Sequence, residues 1–425
     1  MAKRVWDKHF VATIGLGFTL LQTMTAFAAP EISLDDSVAM ALKNNPSISM
    51  AVSDKEKATW GVKEAEASNG PSISLSSSGT HGQSGPSSPV GDNFSSSIRL
   101  NWPVYTGGRA EAQIEQAKIN ADSAELGVVK AQQQLKLDTT TAYYNVLQAS
   151  NMVKVNQQSV ANLTEHLGHV QAQYEAGVIA KADVLRSEVE LANAQQNLTK
   201  AQNNYDVAHA ALNNIIGEPL DGQSVLKDEL TYVQYDLSLD DSIQQAIKNR
   251  PELGQSENSI AAAKAGIKAA DSGRLPTISV SGNQGWSGSD FPGDKSNWSV
   301  GVTANWNIFD MGLTKAKVKQ AEAAADKASQ MDGQTRDSIE LEVRQAYLSM
   351  KEAEKRIDTS KVAVDKAVED LKIAQTKYNA GAGTNLDVID AQLAQTQANT
   401  NYTQALYDYN VNKAKLEKAI GQKLN

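Results

Sequence analysis

The sequence predicts a mainly α-helical, internally duplicated chain with a smaller β portion of four strands. Three observations carry that prediction. Landmarks recur roughly 205 positions apart, long stretches contain almost no Gly or Pro, and each half holds two segments of period-2 hydrophobicity. Of 425 residues, 41% are hydrophobic and 6% aromatic, and much of the apolar share is alanine. That composition suits long thin helices better than one thick core, and its strong periodicity excludes intrinsic disorder. The absence of cysteine excludes disulfides, thiolate metal sites, a cysteine nucleophile and a lipid-modified N-terminal cysteine. A formal charge of −9 argues against nucleic acid as a partner, because a phosphate-binding surface needs a basic patch.

Lys3, Arg4 and Lys8 precede an uncharged run from Phe10 to Leu21 and then Thr25-Ala26-Phe27-Ala28-Ala29-Pro30. This reads as a secretory signal peptide over 1–28, cleaved after Ala28, rather than as an anchor helix. The apolar run is short for a span, and no later segment reaches ~18 consecutive apolar residues.

The duplication is read from ordered landmarks. Ser33-Leu34-Asp35-Asp36-Ser37 returns as Ser238-Leu239-Asp240-Asp241-Ser242, and Pro71-Ser72-Ile73-Ser74 returns as Pro276-Thr277-Ile278-Ser279. Asn101-Trp102 matches Asn305-Trp306, and Ala142-Tyr143 matches Ala346-Tyr347. Tyr174-Glu175-Ala176-Gly177 with Asp183-Val184 matches Tyr378-Asn379-Ala380-Gly381 with Asp387-Val388. The offset is 205 at first (Ser33 to Ser238) and 204 from the tryptophans onward (Trp102 to Trp306). A period so far above 20–50 residues is the duplication of a structural half, not a solenoid.

Within the first half, Ser33 with Asp35 and Asp36 opens a short helix that ends near Asn44, before Pro46. A second helix is predicted from Ser47 to about Ser68. Pro71 then introduces Ile73, Leu75 and Ser77 at period 2. After a Gly/Ser/Pro-rich tract from Gly79 to Asn93, Ile98, Leu100, Trp102 and Val104 alternate with Ser97, Arg99, Asn101 and Pro103. The second half repeats this with Ile278 and Val280, a loop from Trp286 to Asn297, and Val300, Val302, Ala304, Trp306 and Ile308. From Arg109 a helix of about 60 residues is predicted, roughly 90–100 Å long. Val146, Val153, Val160 and Leu167 recur by sevens, and a returning helix carries Val184, Leu191, Leu198, Tyr205 and Leu212 at the same spacing. Ala194, Ala201 and Ala208 lie between them, small enough for close coiled-coil packing. The second half repeats the pair from about Leu313 to Tyr378 and from about Leu386 to Ile420. The resulting division is 1–28 signal peptide, 29–70 first N-terminal helices, 71–105 first β-hairpin and 106–217 first long helical hairpin. It continues with 218–275 linker and second N-terminal helices, 276–309 second β-hairpin, 310–421 second long helical hairpin and 422–425 tail.

Strands of ~10 residues fit a tilted crossing of a bilayer, but they also fit a soluble hairpin with one buried face. The smallest membrane barrels have about eight strands, so four per chain require a dimer or a trimer to close. Trp102, Tyr105, Trp306 and Phe309 stand at strand ends, where an aromatic girdle belongs. Arg99 and Asn101 share the polar face and would line the lumen.

Taken together, the duplicated Leu-Asp-Asp-Ser opening, the Pro-led strand, the Trp/Tyr strand entering Gly107-Gly108-Arg109 and the Tyr-x-x-Gly turn with its Asp-Val successor resemble the TolC-like outer membrane efflux proteins. The resemblance spans the chain from about Ile32 onward. It implies a homotrimer with a twelve-stranded barrel in the outer membrane of a diderm bacterium and an α-helical tunnel crossing the periplasm. It also implies a periplasmic adaptor (membrane fusion) protein and, through it, an inner-membrane pump.

No catalytic motif and no cofactor site is visible. His166 and His169, with Glu165, fit either a metal pair or a solvated helix face, and the solvated face is the expectation. Asp387 and Asp390 fit either helix N-terminal acids or, in an oligomer, acidic rings at a tunnel mouth. The resemblance assigns them to an acidic periplasmic entrance. The first half departs from it: Asp183 is followed at the second position by Arg186, near Lys181, and Arg186 is expected to pair with a neighbouring acid. The turns at Gly177 and Gly381 are the exposed tips at which an adaptor would dock. The predicted function is an exit channel without enzymatic activity, for small molecules or polypeptides, in efflux or type I secretion. The alternative is a secreted or surface coiled-coil structural or adhesive protein without a pore.

Overall fold

The computed structural model describes residues 31–83, 86, 89–222 and 224–422. The N-terminal segment, with its expected cleavage site, lies outside the described residues. Two repeats follow one another, each built as short helix, second helix, β-hairpin, long helix and returning helix. The first repeat contains α1 (Leu34–Asn44), α2 (Pro46–Ser68), β2 (Ser72–Gly82), β3 (Gly91–Tyr105), α3 (Arg109–Glu175) and α4 (Lys181–Ile216). The second contains α5 (Leu239–Asn249), α6 (Pro251–Asp271), β5 (Thr277–Gly288), β6 (Lys295–Asn305), α7 (Leu313–Asn379) and α8 (Asn385–Ala419). A parallel pair, β1 (Glu31–Ile32) with β4 (Val225–Leu226), joins the start of the chain to the inter-repeat linker.

Local chemistry sets the boundaries. Ser33 caps α1 by accepting from Asp36 N at 3.2 Å, and Asp36 returns the bond to Ser33 N at 3.2 Å. Pro46 sits at the first position of α2, where its missing N–H costs nothing. Each long helix has 67 residues, about 100 Å. Ser187, Ala194, Ala201 and Ala208 recur by sevens and are all buried. Leu191, Leu198 and Tyr205 are only half-buried, so the helices approach one another across their small residues.

Near the strands, α2, α3, α6 and α7 pack side by side in that order, whereas further along α3 packs against α4 and α8. The main core lies midway, where α1 and α5 lie against the long helices around Tyr143, Leu212, Val343, Met350, Tyr409 and Leu416. A second cluster near the tips includes Val170, Val184, Leu371, Tyr378 and Val388. Tyr143 Oη donates to Asp228 Oδ2 at 2.8 Å and lies 3.0 Å from Ile32 O, and Tyr409 Oη donates to Val233 O at 2.7 Å. The linker is thereby fastened to the long helix α3 of the first repeat and to the returning helix α8 of the second.

The four strands form one antiparallel sheet in the order β2-β3-β5-β6, with β2 and β6 as unpaired edges. They run longer than their period-2 segments suggest. Thr80 pairs with Asn93 and Gly82 with Gly91, so the ladder extends into both ends of the expected loop from Gly79 to Asn93. Trp286 pairs with Ser296, which likewise shortens the expected loop from Trp286 to Asn297. Backbone pairing extends through Gly and Ser because each new rung satisfies main-chain groups whatever the side chain.

Candidate functional site

The sheet separates its side chains into two unlike faces. On one, Ile73, Leu100 and Val300 share a rung, Leu75, Ile98 and Trp298 the next, and Trp102, Val280 and Val302 another. Ile73, Leu75, Trp298 and Val300 are all more than 70% exposed in the protomer, an apolar surface far beyond what a water-facing sheet carries. On the other face, Ser74, Arg99, Asn283 and Ser299 share a rung, beside Ser72, Asn101 and Ser281. Arg99 and Asn101 are exposed, and Arg99 has no ion-pair partner among the described residues.

Trp102 and Tyr105 stand at the helix-proximal end of β3. Three residues apart, they would point to opposite faces of a regular strand. An irregularity between Pro103 and Tyr105 sets Tyr105 opposite Ile278, and this returns its ring to the apolar face of Trp102 and Val280. Trp306 and Phe309 lie just beyond β6 at the same end, exposed, with Trp306 Nε1 donating to Arg274 O at 3.0 Å. At the opposite end, Trp286 and Trp298 fall on the apolar face, one or two rungs short of the Phe94 ring that covers Gly79. This second aromatic row was missed in the sequence because Trp286 read as loop. From Ile278 to Trp286 the band runs about 26 Å along the strand, or about 20 Å in height at a tilt near 40°.

The tips are the turns after α3 and α7. Gly177 (φ 76°) and Gly381 (φ 72°) occupy the left-handed region and close these helices. Val178 N donates back to Gln173 O at 3.0 Å, and Ala382 N to Lys377 O at 2.9 Å. A side chain at either glycine would meet open space, so both turns are exposed.

Asp387 and Asp390 divide their work. Thr384 caps α8, and the Asp387 carboxylate turns back to accept from Thr384 N at 2.8 Å and Thr384 Oγ1 at 2.7 Å. Those two bonds hold its pKa below the usual value. Asp390 is exposed, with no hydrogen bond or ion pair among the described residues. Lys181 and Arg186 are likewise exposed, and neither meets an acid among the described residues. Asp183 is half-buried and faces Tyr378, whose phenol is pushed up first by burial and then by that carboxylate.

His166 differs from expectation. It is 6% exposed, not solvated, because α8 and Tyr378 cover that face of α3. Its Nε2 lies 2.6 Å from Asn385 Oδ1, while His169 remains outside, 3.9 Å from Glu165. Asn385 escaped the sequence reading. The signal available was its place one turn before Val388 and two before Gln392, on the stripe of α8 that is buried.

Comparison with known proteins places this geometry. A family profile described as "Outer membrane efflux protein" matches twice, over residues 38–218 and 242–422. The outer membrane protein TolC of Escherichia coli (strain K12) is 25% identical over 395 residues, covering 89% of this chain and 80% of that protein. The alkaline protease secretion protein AprF of Pseudomonas aeruginosa is 23% identical, over 75% of this chain and 67% of its own length. The Campylobacter jejuni CmeC outer membrane channel superposes with a TM-score of 0.79 at 19% identity, over 91% of this chain and 85% of that one.

Proposed function

The chain belongs to the outer membrane efflux protein family, and from that premise we propose that three copies close their four-stranded sheets into one barrel. Efflux and secretion channels of the outer membrane are what this family comprises, and they are channels, not enzymes. The protein's own role is accordingly a passive exit duct without a catalytic step. The observation that carries the reading is the sheet itself: one apolar face, one polar face and two free edges. Exposed apolar rungs suit hydrocarbon, and free edges are untenable there unless a neighbouring copy pairs with them. Twelve strands then enclose a lumen lined by Arg99 and Asn101, with Trp102, Tyr105, Trp306 and Phe309 at the periplasmic interface and Trp286 and Trp298 at the outer one.

The long helices continue the lumen through the periplasm as a tunnel. Its far mouth is formed by the tips, where Asp390 of each copy contributes to an acidic constriction and Asp387 holds the turn in shape. Arg186 finds its acid on an adjacent protomer and braces the closed mouth. The turns at Gly177 and Gly381 offer the docking points for a periplasmic adaptor, which links the duct to an inner-membrane pump. The test is the oligomeric mass of the detergent-extracted protein and its conductance in planar bilayers. A trimer passing cation-selective current is expected. A water-soluble monomer or fibre without current would overturn the duct and favour a coiled-coil structural protein.

A further inference from the structure

Polar rungs cross the seam between the two long hairpins. Gln148 Nε2 of α3 donates to Gln404 Oε1 of α8 at 2.6 Å, and Asn162 Nδ2 donates to Gln392 Oε1 at 2.8 Å. The rung nearest the tips joins His166 to Asn385. The Asn385 amide is engaged on both sides: Nδ2 donates to Asp183 O at 3.0 Å, and Oδ1 accepts from Ser187 Oγ at 3.1 Å and from His166 Nε2 at 2.6 Å. His166, Ser187 and Asn385 are all buried. Because Oδ1 can only accept, the imidazole donates through Nε2–H, and Nδ1 is its bare nitrogen.

Duplication does not account for this knot. At the equivalent positions of the other repeat stand Lys181 for Asn385, Asp370 for His166 and Ala391 for Ser187. Lys181 and Asp370 are exposed, so the knot forms once per protomer, between the α3–α4 hairpin and the first turn of α8. That turn carries Asp387 and Asp390.

We propose that Asn385 and His166 are positioning residues of the acidic turn: the knot holds the start of α8 against α3 and α4, and a proton taken up at His166 Nδ1 releases it. The proposal rests on the reading of this turn as the channel's constricted mouth. Titratable groups stand on every helix packed around the imidazole. On α3 itself Glu165 and His169 flank it. From α7 come Lys372, on the same groove, and Tyr378, with its ring centroid 5.2 Å from that of His166. On α4, Asp183 meets Asn385 through its backbone carbonyl, and on α8 the Asp387 carboxylate is turned onto Thr384. Of these, His169 opposes a second proton on the imidazole. Burial holds the imidazole below its ordinary 6.5, with the Asn385 acceptor raising it in part and His169 lowering it further. The sign follows: a base depressed in the knotted state stabilises the knot fully above 6.5, and that contribution is lost as pH falls through the knotted-state value. The Gln148 and Asn162 rungs do not titrate, so this rung alone among the three answers to pH.

The experiment is planar-bilayer conductance of the assembled protein between about pH 7.5 and 5, for wild type, His166→Gln, Asn385→Ala, Ser187→Ala and Asp390→Asn. Wild-type open probability should rise on acidification by about tenfold for each pKa unit separating the two states. His166→Gln keeps an amide donor toward Asn385 and should stay closed at both ends of the range. Asn385→Ala should be open at neutral pH with a flat profile. Ser187→Ala, which deletes one hydroxyl, should lie between wild type and Asn385→Ala and serves if the latter fails to assemble. Asp390→Asn should retain the rise, excluding the carboxylate as its source. A His166→Gln profile superimposable on wild type overturns the proposal, as do Asn385→Ala and Ser187→Ala channels as closed as wild type at neutral pH. Absence of current from every protein, wild type at low pH included, overturns instead the underlying reading of the channel mouth.

Discussion

Arg250 sits at the junction of α5 and α6, where the first repeat has Asn45, and its side chain is only 4% exposed. Its guanidinium forks onto Glu252 (Nε–Oε2 2.9 Å, Nη2–Oε1 3.1 Å), and Nη2 also reaches Glu342 Oε2 of α7 at 2.9 Å. Nη1 donates to Ala419 O near the end of α8 at 3.3 Å. One side chain thus ties three segments of the second repeat. Arg250→Leu keeps most of the bulk and removes the charge. Breaking a buried ion pair from one side costs roughly 3–5 kcal/mol. Glu252 and Glu342 retain 16% and 39% side-chain exposure, and Lys418 stays 2.8 Å from Glu342, so solvent and that lysine recover part of it. A cost of about 2–3 kcal/mol remains, equivalent to roughly 30- to 150-fold in the local opening constant. Hydrogen exchange by mass spectrometry on the detergent-solubilised assembly reads this directly in peptides spanning the α5–α6 junction. The effect should also depend on pH. Burial raises the Glu342 carboxyl, but hydrogen bonds from Lys418 and Arg250 outweigh burial and hold it below 4.5. Its contribution is therefore present above 4.5 and lost as pH falls through the folded value, and the loss should shrink in Arg250→Leu. Protection changed less than about threefold in a correctly assembled variant would refute the ionic account of this junction.

Three further outcomes are expected. Asp390→Asn should lower the cation-to-anion permeability ratio measured by reversal potential, whereas Asp387→Asn should mainly speed exchange over the first turn of α8 by a few-fold, because its carboxylate serves Thr384. Equal shifts in selectivity from both variants would contradict that division. A variant retaining only Trp298 should show fluorescence quenched by brominated lipids, and insensitivity to those lipids would remove Trp298 from the lipid face. Tyr143→Phe removes the donor that reaches Asp228 and should weaken local protection of the β1–β4 pair by about 1–2 kcal/mol, with unchanged exchange there as the refuting result.

Much of this molecule was legible because its signals are local. Ser33 and Asp36 form their capping box within four consecutive residues, Gly177 and Gly381 stop helices by a single backbone angle, and the alternation about Arg99 fixes two faces of a strand. The duplication added a second copy of each signal, and the family resemblance rested on that repetition. The acids at the tips were visible, but their roles were not told apart. Thr384 stands three positions before Asp387, the same capping-box spacing as Ser33 and Asp36, so the signal that separates a capping carboxylate from the free Asp390 was present in the sequence and went unused.

What sequence by itself determined were the quantities set by neighbours along the chain: the repeat, the helix limits, the strand faces and the glycine turns. What tertiary structure decided were pairings between residues far apart. Asn385 meets His166 across 219 positions and Ser187 across 198, and neither repeat symmetry nor helical period specifies such partners. The extra rungs at Gly82 and Trp286 came from the neighbouring strand's main chain, and Tyr105 reached its face through a ladder irregularity between two strands. The physical reason is common to all of them. Periodicity says which side of an element is buried, whereas a hydrogen bond or ion pair depends on which atom the fold places within about 3 Å of it.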